Sequence, residues 1–214
     1  MAEPAVQHSE LMNATYRRQR WIYDATRKYY LFGRDHLIKT LDPPEGSTVL
    51  EIACGTGRNL QMIHRQYPTA RLYGLDISSE MLRSASAKLG QTAQLAEADA
   101  CDFDPETLFG VAHFDRIVLS YALSMIPDWP GALREALDHL APGGSLHIVD
   151  FGTQNRLPKW FRGALRHWLG KFHVSPRDAL PAQLSALTSE TGTQSDAASL
   201  YRGYAQHLTA RRPL

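Results

Sequence analysis

Residues 49–59 read VLEIACGTGRN, an apolar run that meets one acidic residue, bends through Gly-x-Gly and continues into a helix starting near Arg58. A continuous apolar run of this length predicts a parallel strand buried on both faces. Gly55 and Gly57 lack a Cβ, so they admit left-handed dihedrals and let a ligand lie against the main chain. The helix that follows presents unpaired N–H groups to any anionic part of that ligand. Gly-x-Gly alone is a weak signal, and the later pieces of the chain decide what it means.

From Thr48 onward strand and helix patterns alternate. Strands are predicted at 48–53, 72–76, 93–97, 114–120 and 145–150, and helices at 57–67, 79–89 and 130–140. Alternation of this kind implies right-handed crossovers and a mostly parallel sheet covered on both faces, with ligands bound at the carboxyl ends of the strands. Asp76 closes the second strand, 25 residues after Glu51, where a carboxylate can accept both hydroxyls of a ribose. Capping of the next helix is better served by Ser78 or Ser79, which leaves Asp76 for the ligand. Asp99 follows the third strand, as partner for a base amino group or as a simple turn residue. Strand four ends at Ser120-Tyr121, and a Pro-Gly-Gly turn at 142–144 leads into strand five, which ends at Asp150.

The series EIACGTG, LDIS, EADA, FDRIVLSYAL and LAPGGSL, over residues 48–151, resembles the class I S-adenosylmethionine-dependent methyltransferases in order and spacing. That resemblance implies an α/β, Rossmann-like fold whose seven-stranded, mostly parallel sheet ends in an antiparallel hairpin. It also implies contacts to S-adenosylmethionine, and to the product S-adenosylhomocysteine, from Glu51, Ala53, Gly55, Asn59, Asp76, Ile77, Asp99, Ala100 and Ser120. Ala53 stands where the family usually has glycine, and its methyl group narrows the approach to the methionine part of the cofactor. A nicotinamide-dinucleotide fold would want a third glycine at position 60, which is Leu60.

Length sets the frame for the flanks. The 214 residues suit a single methyltransferase domain spanning 1–214: N-terminal lid or membrane-facing helices at 1–41, a cofactor-binding core at 42–151, and a substrate- and membrane-facing segment with the last strands at 152–214. Lys and Arg against Asp and Glu give +3 over residues 1–41, −8 over 42–150 and +6 over 151–214. An acidic body between basic flanks suits either a polyanionic partner or ordinary solvated faces. No apolar run approaches the ~18 residues that a membrane span needs. The N-terminus shows no signal-peptide h-region, and Cys54 and Cys101 form no metal-binding pair. A cytoplasmic protein without bound metal is expected.

Residues 11–31 are predicted helical, with Met12, Tyr16, Tyr23 and Tyr30 on one face among Arg17, Arg18, Arg20, Arg27 and Lys28. Gly33 is predicted to end that helix, and Asp35–Leu41 starts another. In residues 156–177, Trp160, Phe161, Ala164, Leu165, Trp168, Leu169 and Phe172 share a helical face opposite Lys159, Arg162 and Arg166. Such helices either lie in a lipid headgroup layer or cover the sheet with their cations outward. Residues 185–199 are predicted to be a mobile loop, and the closing SLYRGYAQHLTARRP an edge strand.

These flanks resemble bacterial methyltransferases of lipid headgroup amines. The resemblance implies stepwise trimethylation of diacylglyceryl-homoserine at the inner face of an anionic membrane, with phosphatidylethanolamine as the related acceptor. A small apolar or quinone-like acceptor is the alternative. Nucleic acid is disfavoured because the strand-four end reads LSYAL, without the Asn/Asp-Pro-Pro-aromatic signature of base-amino methyltransferases. An amine acceptor must lose a proton, and Asp150, Tyr121 and His173 are the candidate bases. Tyr23 and Tyr30 are placed to close over the cofactor and stack on a methylammonium. Arg34 is expected to pair with the cofactor carboxylate, and Arg177 is either an acceptor-anion partner or a surface charge.

Overall fold

A computed structural model describes residues 31–172 and 174–214. The predicted helix over 11–31, with Tyr23 and Tyr30, and the candidate base His173 lie outside the described residues, apart from Leu31.

The alternation between 48 and 151 becomes one seven-stranded sheet. Its strands are β1 (Thr48–Ile52), β2 (Arg71–Asp76), β3 (Ala93–Glu97), β4 (Phe114–Ser120), β5 (Leu140–Phe151), β6 (Gln194–Leu200) and β7 (Ala205–Arg211), in the order β3-β2-β1-β4-β5-β7-β6. The first five are parallel, and β7 runs antiparallel between β5 and β6. This is the Rossmann-like architecture expected of the motif series. Strand order reverses between β1 and β4, and Ile52 pairs with both Leu75 and Leu119. The crevice of such a sheet opens at that reversal, beyond the carboxyl ends of β1 and β4.

Every residue of β1 is buried, as a strand covered on both faces must be. On one face Leu50, Ile52, Ile117, Leu119, Ile148 and Leu208 meet α5 (Trp129–Asp138) and α7 (Leu180–Thr191). On the other, Val49, Val118, Val149 and Phe151 meet α1 (Arg34–Thr40), α2 (Arg58–Gln66), α3 (Ser79–Leu89) and α6 (Lys159–Gly170). A short α4 (Pro105–Phe109) completes the set. Since Leu50 and Leu208 belong to one core, residues 42–151 and the described C-terminal segment fold around the same sheet.

Two expectations for the C-terminal region are corrected. Residues 185–199 are not a loop: they form the end of α7, a left-handed turn at Gly192 and most of β6. Their polarity marks an edge strand, because Gln194, Ser195, Asp196 and Ala197 are exposed, and polar edges deter strand addition. The closing segment is instead β7, which is interior and supplies the buried Leu208 and Ala210. Gly33, with φ 95°, caps the start of α1.

A polar seam lies under α1. Arg116 of β4 is buried and bonded to the carbonyls of Leu41 (2.8 Å) and Asp42 (2.8 Å), so it caps the end of α1 and holds it on the sheet. Beside it His147 of β5 bonds Ser145 Oγ at 2.9 Å, and the His207 ring of β7 sits edge-on to His36 of α1 at 5.0 Å. Burial holds the His147 pKa down at about 3 and the His207 pKa down at about 4. Unfolding returns both imidazoles to ordinary basicity near 6.5, so the unfolded chain binds more protons. The contribution of the two histidines is therefore full above that value and falls as pH drops from about 6.5 towards 4, each with a slope of at most about 1.4 kcal/mol per pH unit. Urea unfolding at pH 7, 6 and 5 should show the stability of the wild type relative to His207→Asn declining over that range, a comparison that cancels the other buried groups titrating in it.

Candidate active site

The crevice is built from the turn after β1. Cys54 N–H donates to the Leu75 carbonyl (2.9 Å) and Gly57 N–H to the Cys54 carbonyl (3.0 Å), bending the chain at once into α2. At Gly57, with φ 71°, a side chain would be strained, and its Cβ would lie 2.6 Å from Leu89 Cδ1 and 3.1 Å from Ala85 Cβ. At Gly55, with φ 55°, a Cβ would meet no atom within 4 Å, so the space above the turn is open.

Asp76 borders that space. Its Oδ2 accepts the Gly55 N–H (2.8 Å) and its Oδ1 the Ser78 N–H (2.9 Å), while Ser78 caps α3. The carboxylate predicted to be left for the ligand is thus also pinned by the glycine turn, which fixes its direction. Ile77 follows, half-buried. Asp99 Oδ1 accepts the Cys101 N–H (2.9 Å), the turn role considered for it, with Ala100 buried next to it.

The deeper wall is polar and incompletely satisfied. Asn59 Nδ2 donates to Glu51 Oε1 at 2.7 Å, and both side chains are buried. Glu51 Oε2, Asn59 Oδ1 and Ser120 Oγ are buried without a hydrogen-bond partner among the described residues. Burial pushes the Glu51 carboxyl up to about 8, against the pull of Asn59 and of the nearby Arg34 charge. The Arg34 guanidinium lies 5.8 Å from the centroid of the Tyr121 ring. Acceptors orphaned around a glycine-floored space, with a guanidinium close by, fit a ligand that carries an ammonium, a carboxylate and a nucleoside. The donor set therefore fits S-adenosylmethionine. Glu51, Asn59 and Arg34 would hold its amino-acid end, and Asp76, Ile77, Asp99 and Ala100 its nucleoside. When bound, that cofactor supplies a methyl group on positively charged sulfur.

The structure gives Asp150 and Tyr121 structural partners. Asp150 is fully buried at the end of β5, with Oδ2 accepting Ser124 N–H (3.0 Å) and Oδ1 accepting Phe151 N–H (2.7 Å). Burial raises its pKa to about 6, and its carboxylate anchors the loop after β4. The Tyr121 hydroxyl donates to the Phe32 carbonyl, and burial pushes its pKa well above 10. It ties the segment before α1 over the end of β4.

Arg177 is not a loose surface charge. Its Nε donates to the Leu123 carbonyl (3.0 Å) and Nη2 to that of Ile126 (2.8 Å), and the guanidinium lies 5.9 Å from the centroid of the Trp129 ring. Arg166, predicted on a solvated face of α6, instead bonds both Asp178 oxygens (2.8 and 2.9 Å) and Gln154 Oε1 (2.9 Å). On α6 only Leu165 and Leu169 are buried; Phe161, Trp168 and Phe172 beyond its end are half-covered, and Trp160 is 75% exposed. The sequence reading missed a set of aromatic rings at this rim, Phe32, Phe151, Tyr201 and Tyr204, whose signal was an aromatic beside glycine in Phe32-Gly33 and in YRGY.

Sheet order, motif order and the set of unsatisfied acceptors define a class I S-adenosylmethionine-dependent methyltransferase, and this chain is an enzyme of that class. A family model for methyltransferase domains matches residues 49–144. The chain is 29% identical over 170 residues to the 2-phytyl-1,4-naphtoquinone methyltransferase of Thermosynechococcus vestitus, covering 74% of this chain and 73% of that protein. It is 36% identical over 104 residues to the trans-aconitate 2-methyltransferase of Streptomyces avermitilis, covering 49% of this chain and 39% of that one. The fold also superposes on the plantazolicin methyltransferase BpumL, solved with SAH and a pentazolic desmethylPZN analogue. That match has a TM-score of 0.71 and 15% identity over 98% of this chain and 97% of the other.

Two expected outcomes test the site. Below pH 8 a proton must leave Glu51 before an ammonium can pair with it, so cofactor affinity should rise as pH increases from 6 to 8. Calorimetric titration should show a gain approaching tenfold per pH unit, and Glu51→Gln should bind weakly with no such slope. Ala53 holds φ 57°, a left-handed conformation that costs a residue with a Cβ about 1–2 kcal/mol. Glycine would remove that cost but add about 0.5–1 kcal/mol of unfolded-state entropy. Ala53→Gly should leave the melting temperature equal or slightly higher and lower the cofactor Kd.

Proposed function

We propose that the enzyme methylates a small, largely apolar acceptor of quinone type. The observation that carries this reading is the use of the cations and carboxylate at the acceptor end of the crevice. Among the described residues there, Arg177 is bonded to two carbonyls, Arg166 to Asp178 and Gln154, and Asp150 to two backbone N–H groups. Past the ends of β4 and β5 lies a packed aromatic cluster of Tyr121, Phe151, Tyr204 and Phe32, the first three buried and Phe32 half-exposed. Apolar surroundings of this kind suit a flat apolar ring better than a zwitterionic headgroup. Placement supplies most of the rate in this reaction, since attack on the methyl group must be in line. The relative from Thermosynechococcus vestitus, whose name describes methylation of a phytyl-naphthoquinone, supports the same class.

A second reading is N-methylation of a lipid headgroup amine, with diacylglyceryl-homoserine first and phosphatidylethanolamine second. Trp160, 75% exposed beside Lys159 on a stretch without an acidic residue from 151 to 177, supports delivery from an anionic membrane surface. No helix among the described residues is long and apolar enough to cross a membrane. This reading asks for a base at the amine, and the two candidates among the described residues, Asp150 and Tyr121, each have hydrogen-bond partners within the protein.

Turnover of S-adenosylmethionine should be compared on a demethylated naphthoquinol, diacylglyceryl-homoserine and phosphatidylethanolamine, with products identified by mass. The expected result is a kcat/KM for the quinol at least tenfold above either lipid amine. Methylated amine as the main product would replace this reading with the second one.

A further inference from the structure

β4 ends at Ser120, and the next residue, Tyr121, holds φ 55°, a left-handed conformation that is costly for a bulky side chain. Its backbone and ring are both held from β5. Tyr121 N–H donates to the Val149 carbonyl (2.7 Å), and the ring packs against Phe151 with centroids 4.7 Å apart and planes inclined at 70°. The side chain is buried, so these contacts fix its direction. Strain kept at the carboxyl end of a strand that borders the ligand space calls for a reason beyond turning the chain.

Both parts of that side chain serve the start of α1. The hydroxyl donates to the Phe32 carbonyl, and burial keeps the proton on it far above neutral pH. The ring lies under the Arg34 guanidinium, 5.8 Å from the centroid, within range of a cation–π interaction. Between these two contacts Gly33 turns the chain into α1. Arg34 is the first residue of that helix, where the dipole works against a cation, so the helix itself gives no reason for a charge there. An arginine side chain also has many rotamers to lose, and its charge acts on Glu51 only while the guanidinium is kept close.

We propose that Tyr121 is the positioning residue for the cofactor's amino-acid end and acts through Arg34: the hydroxyl holds the backbone before α1, and the ring holds the guanidinium on the side of Glu51. This rests on the assignment of Arg34, Glu51 and Asn59 to that end of the cofactor, and it holds for any methyl acceptor. A ring that only filled the core would need neither the hydroxyl nor the guanidinium, and phenylalanine would serve as well.

Calorimetric titration with two ligands tests this. S-adenosylhomocysteine carries the amino-acid end, and 5′-methylthioadenosine has the nucleoside without it. Tyr121→Phe should lose at least fivefold in affinity for the first and less than twofold for the second, a difference that general loosening of the fold would not produce. Arg34→Gln should lose at least as much for S-adenosylhomocysteine, and adding Tyr121→Phe to it should cost less than twofold more, because the two side chains act as one unit. Equal losses for both ligands in Tyr121→Phe, or losses that multiply in the double variant, overturn the proposal and leave Tyr121 a residue of the fold. Should Tyr121→Phe keep full affinity for both ligands, Tyr121→Leu decides: a loss confined to S-adenosylhomocysteine upholds the proposal through the ring, and equal losses or none overturn it. Unchanged affinity in Arg34→Gln removes Arg34 from the cofactor site, and the proposal falls with that assignment.

Discussion

The crevice depends on a hydrogen bond from the Gly55 N–H to Asp76 Oδ2, 2.8 Å long. It joins the turn after β1 to the end of β2, and it forms only because the chain can bend through left-handed Gly55 and Gly57 within a few residues of a buried strand. Once that bend is made, α2 starts directly above Glu51 and brings Asn59 onto its carboxyl. Burial then leaves Glu51 protonated at neutral pH, until a cation binds beside it or the pH rises past about 8. A cationic ligand is selected here less by an open charge than by a carboxyl whose own charge has been suppressed by its surroundings.

Local signals were legible where one element decides its own form. The apolar run 49–52 became β1, Ser78 caps α3 as its position before an apolar-periodic segment suggested, and the motif order fixed the parallel half of the sheet. The polar stretch 185–199 was misread because an edge strand owes its form to its neighbour. Asp196 and Ala198 pair with Thr209 and His207 of β7, and nothing in their own composition announces this. The roles of the arginines were hidden for a similar reason. Arg177 and Arg166 look like free cations in sequence, yet their partners lie in other elements: carbonyls 54 and 51 residues away for Arg177, and Asp178 for Arg166.

Those arginines shape the acceptor end as much as the aromatics do. A guanidinium bonded to main-chain carbonyls fixes the loop after β4, where Asp150 also takes hold through Ser124 N–H. Breaking either contact would leave a buried polar group unsatisfied, which costs more than the bond itself contributes. The charges of Arg177 and Asp150 thus hold the loop after β4 in place.

Backbone strain follows the same line. Among the described residues six without glycine's freedom have positive φ: Asp42, Ala53, Tyr121, Gln154, Tyr201 and Arg202. All but Asp42 stand just past the carboxyl ends of β1, β4 and β5 or in the β6–β7 connection beside them, where Phe151 pairs with Ala205. Strain of this kind persists only where surrounding contacts over-determine it. Those contacts are present: Tyr121 is held by Phe32 and Val149, and Gln154 by Gly203 and Arg166. The rim facing the ligand is therefore where this fold concentrates its unfavourable conformations, and the buried strands behind it, covered on both faces, are what make that concentration stable.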